Sequence, residues 1–313
     1  MTSDALPFID DAAIAGLHLT PDEAREALLR IYRLNHAGRV VSRPKTSLDI
    51  GPGHMFQAMC AGSEELGLAT VKWLGVAPRP AGDDRPGIHA LSVLNDFSSG
   101  APLAIMDANA MTGLRTAAMS ALAARYLARR ESATIGFVGS GLQARTHLEA
   151  MRALCPGLRT ALCSSRSERS AARLAEHARG LGMEARGPVS PEEAVRGSDI
   201  VVTTVPASPG LEPFLDPAWL APGAFVAAVD VGRSWLPEGL GALDLMATDD
   251  REQHMRYLDG ALTLHCDLSE LAAGIHPGRT GETERAMFVF RGHAPADLAI
   301  SGLIWSRYRA AMG

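Results

Sequence analysis

Ala133-Thr-Ile-Gly-Phe-Val-Gly-Ser-Gly-Leu-Gln-Ala144 is the segment that predicts the fold class of this chain most clearly. Its apolar run, 135–138, predicts a buried strand, and a helix-compatible segment, 145–154, follows the glycines. A strand, a glycine turn and a helix in this order match the dinucleotide-binding pattern G-x-G-x-x-G/A. The alternative is a plain turn between a strand and a helix. Because the order of the elements fits, we predict a nucleotide site.

Each small residue of this turn has a physical role. Gly139 permits the tight turn, Gly141 lets the backbone approach a pyrophosphate, and Ala144 keeps the helix close to the sheet. The free N–H groups at the start of the helix then face the phosphates. The predicted cofactor-binding residues of the turn are Gly139, Ser140, Gly141, Leu142 and Gln143.

A second cofactor determinant is expected at the end of the next strand, where an acidic residue would select NAD through its ribose hydroxyls. This chain carries Ser164, Ser165 and Arg166 at that place. Hydroxyl groups and a guanidinium suit a 2′-phosphate. We therefore predict NADP(H) in preference to NAD(H). The alternative for Arg166 is an ordinary surface residue at a helix start.

The rhythm of the elements predicts the fold class. The first third reads as α+β with a mostly antiparallel sheet, including a hairpin across Ser98-Ser99-Gly100 and a long helix over about 112–129. After residue 131 strands and helices alternate, which predicts a doubly wound parallel sheet of the Rossmann type. The predicted parallel strands are 135–138, 160–164, a short one at 185, 199–205, 224–229 and 244–248.

Bulk composition narrows the classes of partner. The chain has 313 residues, a formal net charge of −5 and 5% aromatic residues. A weakly acidic, aromatic-poor chain does not favour nucleic acid or an anionic membrane. We expect a cytoplasmic protein without a signal peptide or membrane span. The histidines and cysteines lack ligand spacing, so no metal site is expected.

Three cations of the first third are candidates for binding an acidic substrate. Lys72 lies within an apolar strand pattern, and burial would lower its pKa and suit it to proton transfer. Arg115 lies near a helix start, where a guanidinium and the helix end would hold an anion between them. Lys45 is a third candidate. For each of them an ordinary surface or edge residue is the alternative.

Several motifs in order resemble the ornithine cyclodeaminase/mu-crystallin family over essentially the whole chain. Pro44-Lys45-Thr46 and Val71-Lys72-Trp73 resemble two N-terminal motifs of that family. Leu114-Arg115-Thr116-Ala117-Ala118 precedes the glycine turn as it does in the family. The C-terminal pattern F-x-x-x-G-x-A-x-x-D-L appears as Phe288, Gly292, Ala294, Asp297 and Leu298.

The resemblance implies a Rossmann dinucleotide-binding domain, 126–289, inserted into a substrate-binding and dimerisation domain, 1–125 plus 290–313. It implies a homodimer that acts on a small amino-acid-like molecule. Lys72 resembles the acid–base lysine of the family, Arg115 its carboxylate-binding arginine, and Lys45 stands where the family has a further arginine. Further cofactor contacts are predicted at Thr204, Val205, Asp230 and Gly292.

One departure from the family affects the predicted reaction. Cyclodeaminases carry a catalytic aspartate in the turn after the strand that ends at Val229, and alignment on Glu238 puts Gly232 at that position. Asp230, two residues earlier, is the candidate substitute and hence a candidate catalytic residue. The departure favours an NAD(P)H-dependent ketimine reductase or amino-acid dehydrogenase. The alternatives are an ornithine cyclodeaminase with recycled NAD and an NADPH-binding protein of mu-crystallin type. The loop 77–87 and the turn 230–235 are expected to select the substrate.

Overall fold

The structure is a computed structural model that describes residues 6–78, 87–208, 210–257 and 263–312. Contacts within the chain divide it into two compact units. The first unit extends to Arg115 and resumes at His293, and the second runs from Thr116 to Gly292. The second unit is thus inserted into the sequence of the first. The domain limits and roles predicted above remain proposals.

The described helices are numbered in chain order. They are α1 (Asp11–Gly16), α2 (Pro21–His36), α3 (Asn109–Leu127), α4 (Leu142–Leu154), α5 (Glu168–Gly180), α6 (Pro191–Arg196), α7 (Pro237–Leu240), α8 (Arg251–Tyr257), α9 (Leu268–Ala273) and α10 (Ala294–Met312). A short 3-10 helix covers Pro217–Trp219.

The first unit contains a seven-stranded sheet. Its strands are β1 (Phe8–Ile9), β2 (Val41–Ser42), β3 (Thr46–Asp49), β4 (Met55–Ser63), β5 (Leu68–Val76), β6 (Ile88–Asp96) and β7 (Pro102–Asp107). Their order is β1-β7-β6-β5-β4-β2, with β3 also paired to β4. β1 pairs in parallel with β7, and the other described pairs are antiparallel. The predicted antiparallel sheet and the hairpin of β6 and β7 are confirmed.

One face of this sheet packs on helix α10. Side chains alternate between the two faces of a strand, and in β5 the inward set includes Thr70 and Lys72, both buried. Helix α10 contacts β4, β5 and β6 on this face and also contacts α2. Lys72 therefore lies in the interior of the first unit.

A helix start is predicted correctly when its capping residues lie close together in the sequence. Thr20 and Glu23 form a reciprocal capping box at the start of α2, as their spacing indicates. Helix α3 begins at Asn109, three residues before the predicted start. The carboxylates of Asp107 and Asp11 accept hydrogen bonds from its first N–H groups, which stabilises the extra turn.

The second unit contains an eight-stranded sheet with every strand pair parallel. Its strands are β8 (Thr134–Val138), β9 (Thr160–Ser164), β10 (Glu184–Arg186), β11 (Ile200–Thr203), β12 (Phe225–Ala228), β13 (Leu245–Thr248), β14 (Cys266–Asp267) and β15 (Ala286–Val289). Their order is β10-β9-β8-β11-β12-β15-β13-β14. The predicted Rossmann-type sheet is confirmed, and β14 and β15 are strands that the sequence patterns missed.

The order of the strands reverses direction at β8. The chain adds β9 and β10 on one side of β8 and then β11 and β12 on the other. In doubly wound sheets ligands bind beyond the carboxyl ends of the strands at such a switch point. The glycine turn after β8 and Thr204 after β11 both lie there.

Candidate active site

The glycine turn closes tightly against the neighbouring strand. Gly139 has φ +98°, in the region that favours glycine. A Cβ atom at Gly139 would lie 2.5 Å from Thr204 Oγ1 and 2.9 Å from the Thr204 backbone. The Gly139 N–H donates to the Ser164 carbonyl over 2.9 Å, and Ser140 Oγ donates to the same oxygen over 3.2 Å. The close approach leaves room for no side chain at this position.

The second glycine faces open space. Gly141 is the N-cap of α4 and has no side-chain cap, and a Cβ atom there would meet no protein atom within 4 Å. Leu142 is 57% exposed at the helix start. The buried atoms Gln143 Oε1 and Thr204 Oγ1 have no hydrogen-bond partner within the described part of the chain. Uncapped N–H groups beside open space at the helix start fit a bound pyrophosphate.

The end of β9 presents the residues predicted to read the ribose. The Ser164 side chain is buried, Ser165 is half-buried, and Arg166 is exposed in the turn. Ser167 Oγ accepts from the Ser170 N–H and caps α5, which fixes where the helix begins. Arg166 thus lies in the turn between β9 and α5, with its guanidinium open to solvent.

Asp230 is committed to the turn that follows β12. Its Oδ1 accepts from Thr203 Oγ1 over 2.8 Å and from the Gly232 N–H over 3.2 Å, and its Oδ2 accepts from Ser234 Oγ over 2.5 Å. Burial raises the pKa of this carboxyl, and the hydrogen bonds from Ser234 and Thr203 oppose that rise. These contacts stabilise a turn in which Val231 has φ +66°. The catalytic role of Asp230 stays a prediction.

Gly292 is held by an acid that the sequence analysis missed. The Asp249 carboxylate accepts from the N–H of Arg291 over 2.8 Å and from that of Gly292 over 2.7 Å. Gln253 Nε2 donates to the Gly292 carbonyl over 3.2 Å. Asp249 follows β13 directly. Its position at the carboxyl end of a parallel strand is the sequence feature that could have indicated it. The cofactor contacts of Thr204, Val205 and Gly292 remain predictions.

The first unit assembles a buried cluster of charges. Lys72 Nζ lies 2.7 Å from Asp297 Oδ1, and Arg115 Nε lies 3.2 Å from the same oxygen. Lys72 and Asp297 are fully buried and Arg115 is 7% exposed. Strand β5, helix α3 and helix α10 each supply one member. The structure therefore brings together two of the three predicted substrate-binding cations, with an aspartate between them.

The electrostatics of the cluster favour a titratable lysine. Burial, followed by the Arg115 charge, lowers the pKa of Lys72 from 10.5 to about 8, and Asp297 acts in the opposite direction. Lys45, half-buried before β3, also lowers this pKa through its charge. A buried amine with a pKa near neutrality can both give and take a proton under physiological conditions.

The remaining predictions about the surroundings have different outcomes. Most of the loop predicted to select the substrate, 79–86, lies outside the described residues. Among the helices that the structure describes, none is long and apolar enough to cross a membrane. The described histidine, cysteine and acidic side chains form no group of three that would hold a metal ion.

Comparison with known proteins gives a consistent set of relatives. Alanine dehydrogenase of Archaeoglobus fulgidus is 30% identical over 300 residues, which cover 92% of this chain and 90% of the relative. Delta(1)-pyrroline-2-carboxylate reductase of Thermococcus litoralis, solved in complex with NADH and L-proline, superposes with a TM-score of 0.89, 25% identity and 98% coverage of both chains. An archaeal alanine dehydrogenase, solved as a dimer with bound NAD, gives a TM-score of 0.88 at 28% identity and covers 98% of this chain and 97% of its own.

The family model that matches describes the ornithine cyclodeaminase/mu-crystallin family and spans residues 9–311. The match includes both units and every residue of the two candidate sites. This chain belongs to the ornithine cyclodeaminase/mu-crystallin family.

Proposed function

We propose that the protein is an NADP(H)-dependent oxidoreductase that moves a hydride between the nicotinamide and the α-carbon of a small 2-imino or 2-amino acid. The observation that carries this proposal is the buried cluster of Lys72, Arg115 and Asp297 in the first unit. The cluster lies in the first unit, whereas the residues proposed to bind the dinucleotide lie in the second. Two sites of different chemistry indicate two reactants.

The cations of the first unit suit the acid group of the substrate. Arg115 and Lys45 bind its carboxylate, since a guanidinium and an ammonium are the donors that anions prefer. Lys72 donates or removes the proton at the substrate nitrogen, because its lowered pKa makes both protonation states available. Lys45 binds as a point charge, without the two-pronged geometry of an arginine.

The cofactor would be held by residues of the second unit. The backbone at Gly139–Gln143 would receive the pyrophosphate. Thr204, Val205 and Gly292 lie at the ends of strands or in the turns that follow them. When bound, the nicotinamide supplies or accepts the hydride. The protein's own contribution is to orient the ring and to hold the carboxylate of the substrate.

Preference for NADP(H) rests on Arg166. Its guanidinium is exposed at the place where the ribose hydroxyls are read, beside the serines 164 and 165. The two solved relatives described above carry NADH and NAD. Binding of a 2′-phosphate is therefore proposed for this chain alone. A direct comparison of NADPH and NADH binding tests it.

The contacts of Asp230 favour this reaction over ornithine cyclodeamination. In a cyclodeaminase this region must assist the amine of the substrate. Here both oxygens of Asp230 accept hydrogen bonds from Thr203, Gly232 and Ser234. A carboxylate with these partners stabilises its own turn, so net reduction or oxidation is the better-supported reaction.

We further propose that the protein is a homodimer through the outer face of the first sheet. Side chains on that face are apolar and exposed, between 36% and 56% for Phe8, Leu48, Val71, Trp73 and Leu91. Contiguous exposed apolar surface is typical of a protein interface. The archaeal alanine dehydrogenase, which is a dimer, supports the same proposal. Sedimentation of the purified protein measures its oligomeric state. A monomer at micromolar concentration would overturn the proposed dimer.

A nicotinamide absorbance screen tests the reaction. Cyclic imines, and 2-oxo acids with ammonia or methylamine, are offered with NADPH or NADH, and amino acids with NADP⁺ or NAD⁺. The proposal expects stoichiometric oxidation of NADPH with at least one 2-imino acid. Proline and ammonia formed from ornithine without net absorbance change would instead identify a cyclodeaminase. Tight NADPH binding without any turnover would identify a binding protein.

A further inference from the structure

We propose that Asp297 is the positioning residue of the substrate site: one of its carboxylate oxygens holds the Lys72 ammonium and the Arg115 guanidinium side by side. The two cations are thereby set in place before an acidic substrate binds. The use of the cluster for a substrate rests on the function proposed above. The holding of two cations by one aspartate stands on the geometry alone.

The geometry of the three groups is the first argument. Asp297 lies in the first turn of α10, Lys72 in β5 and Arg115 in α3. Both cations contact Oδ1, at 2.7 Å and 3.2 Å. Asp297 Oδ2 is buried and has no hydrogen-bond partner among the residues described. A pair built only for strength would engage both oxygens in a fork with the guanidinium, whereas here a single oxygen is shared.

The balance of charge is the second argument. Lys72 and Arg115 are like charges near one oxygen, and Lys45 adds a third positive charge that acts on Lys72. The neighbours of Lys72 in register are Met59 on β4 and Ser92 on β6, which carry no charge. Asp297 is therefore the anion that offsets the repulsion between the cations. Three cations and one carboxylate leave an excess of positive charge, which complements an acidic substrate.

The use of lysine in this chain is the third argument. Lys45 and Lys72 are the only lysines in the sequence, and the remaining 28 of its 30 basic residues are arginine. Arginine does not lose its proton in proteins, whereas a buried lysine does. Lysine at position 72 thus provides a group that titrates, and the aspartate bound to it controls how readily it does so.

Asp297 should keep Lys72 protonated to a higher pH than burial alone would allow. Burial and Arg115 lower the pKa of Lys72 to about 8, and Asp297 is the partner that raises it. Replacing the carboxylate by an amide removes the attraction and leaves the repulsion. In Asp297→Asn the pKa of Lys72 should fall by about one pH unit or more, since an adjacent opposite charge moves a pKa by roughly that amount.

The two lysines make the measurement simple. Protein labelled with ¹³C at the lysine ε-carbon gives two lysine signals, and Lys45→Arg assigns them. The pH titration of the Lys72 signal is compared in the wild-type protein, Asp297→Asn and Asp297→Glu. We expect a midpoint near 8 in the wild type, a lower one in Asp297→Asn, and a return toward the wild-type value in Asp297→Glu, which keeps the charge.

Ser301→Ala is the matched control. Ser301 lies one turn after Asp297 on α10, is fully buried, and bonds to Ser92 and to the Met111 sulfur. Its loss perturbs the same interior without changing a charge, so the midpoint should stay unchanged. An unchanged or higher midpoint in folded Asp297→Asn would overturn the proposal. If Asp297→Asn does not fold, Arg115→Gln decides: removal of the repelling cation should raise the midpoint, and no rise would overturn the proposal.

Kinetics separate this inference from the proposed function. If both hold, Asp297→Asn raises KM for the acidic substrate by about tenfold or more, and the pH limb of kcat/KM moves by the same amount as the NMR midpoint. A shifted midpoint in a protein that reduces no imine would leave Asp297 as the positioning residue and remove the proposed function. A protein that reduces imines but shows an unshifted midpoint in Asp297→Asn would keep the proposed function and remove Asp297 as the positioning residue.

Discussion

The two candidate sites of this protein are built from different materials. The second unit forms its site from backbone, where Gly139 and Gly141 clear space at the start of α4. The first unit forms its site from side chains, where Lys72 and Arg115 meet on Asp297 from three separate elements. A backbone site is intolerant of added atoms, and a side-chain site is intolerant of lost charges. Substitutions should therefore act on the two sites in different and separable ways.

The largest effect is expected at Lys72. Lys72→Met keeps the aliphatic stem and removes the amine, so proton transfer loses its donor and acceptor. Turnover should fall by about 10²- to 10⁴-fold, the usual contribution of a general acid–base group. Lys72→Ala should do the same. NADPH affinity, measured by fluorescence titration, should stay within about twofold in both variants. Retained turnover would remove Lys72 from its assigned role.

The two glycines provide a matched pair within the backbone site. In Gly139→Ala the new Cβ meets Thr204 at 2.5 Å and the residue keeps a positive φ. This variant should lose about 1–3 kcal/mol of stability as well as NADPH affinity. In Gly141→Ala the Cβ meets no protein atom within 4 Å. That variant should keep its melting temperature and lose NADPH affinity by about tenfold or more, because the added methyl would lie in the path of the proposed pyrophosphate.

Thermal unfolding and cofactor titration of the pair test the difference. An unchanged Kd in Gly141→Ala would show that the phosphates do not approach this glycine. Equal loss of stability in both variants would contradict the packing described for the turn.

Arg166 is the charged side chain proposed to distinguish NADPH from NADH. Arg166→Glu should weaken NADPH binding by about tenfold or more, the worth of a charge-assisted hydrogen bond, and leave NADH binding unchanged or improved. Arg169→Glu, an exposed arginine one residue into α5, is the control and should change neither. Equal Kd values for NADPH in the wild type and Arg166→Glu would end the case for a 2′-phosphate site.

The pH dependence is a smaller and graded effect. Lys72 has a lowered pKa of about 8, so its amine is protonated below that pH and neutral above it. Oxidation of an amino acid needs Lys72 in its neutral form, as a base. The kcat/KM should therefore rise tenfold per pH unit below 8 and level off above it. Reduction of an imine needs Lys72 in its ammonium form, as an acid. The rate of reduction should therefore fall above pH 8. Initial rates from pH 6 to 10 in both directions check the two opposite limbs.

The contrast between the sites also explains what was predictable. The glycine turn lies within twelve consecutive residues, so one local pattern indicated its strand, turn and helix. The capping box of Thr20 and Glu23 was predictable for the same reason. The chemistry of Lys72 depends on Asp297, which lies 225 positions away. The family pattern included Asp297, but no spacing rule indicated that its carboxylate binds the lysine.

Other omissions share this cause. Strand β15 is a four-residue run placed between β12 and β13 by long-range pairing, which a short apolar run alone does not indicate. Asp249 holds Gly292 across 43 positions. The early start of α3 depends on Asp11, which lies 99 positions from its hydrogen-bond partner Ala110. Local patterns predicted elements, whereas partners that are distant in sequence became visible only in the structure.

We propose that this chain transfers a hydride to the α-carbon of an imino acid and does not return it to the cofactor. Hydride transfer can be followed with NADPH that carries deuterium at both positions of nicotinamide C4, offered with the best substrate of the absorbance screen. We expect one deuterium at the α-carbon of each product molecule, measured by mass spectrometry, and one NADPH oxidised for each. An amino acid product without deuterium, or product formed without net oxidation of NADPH, would contradict it.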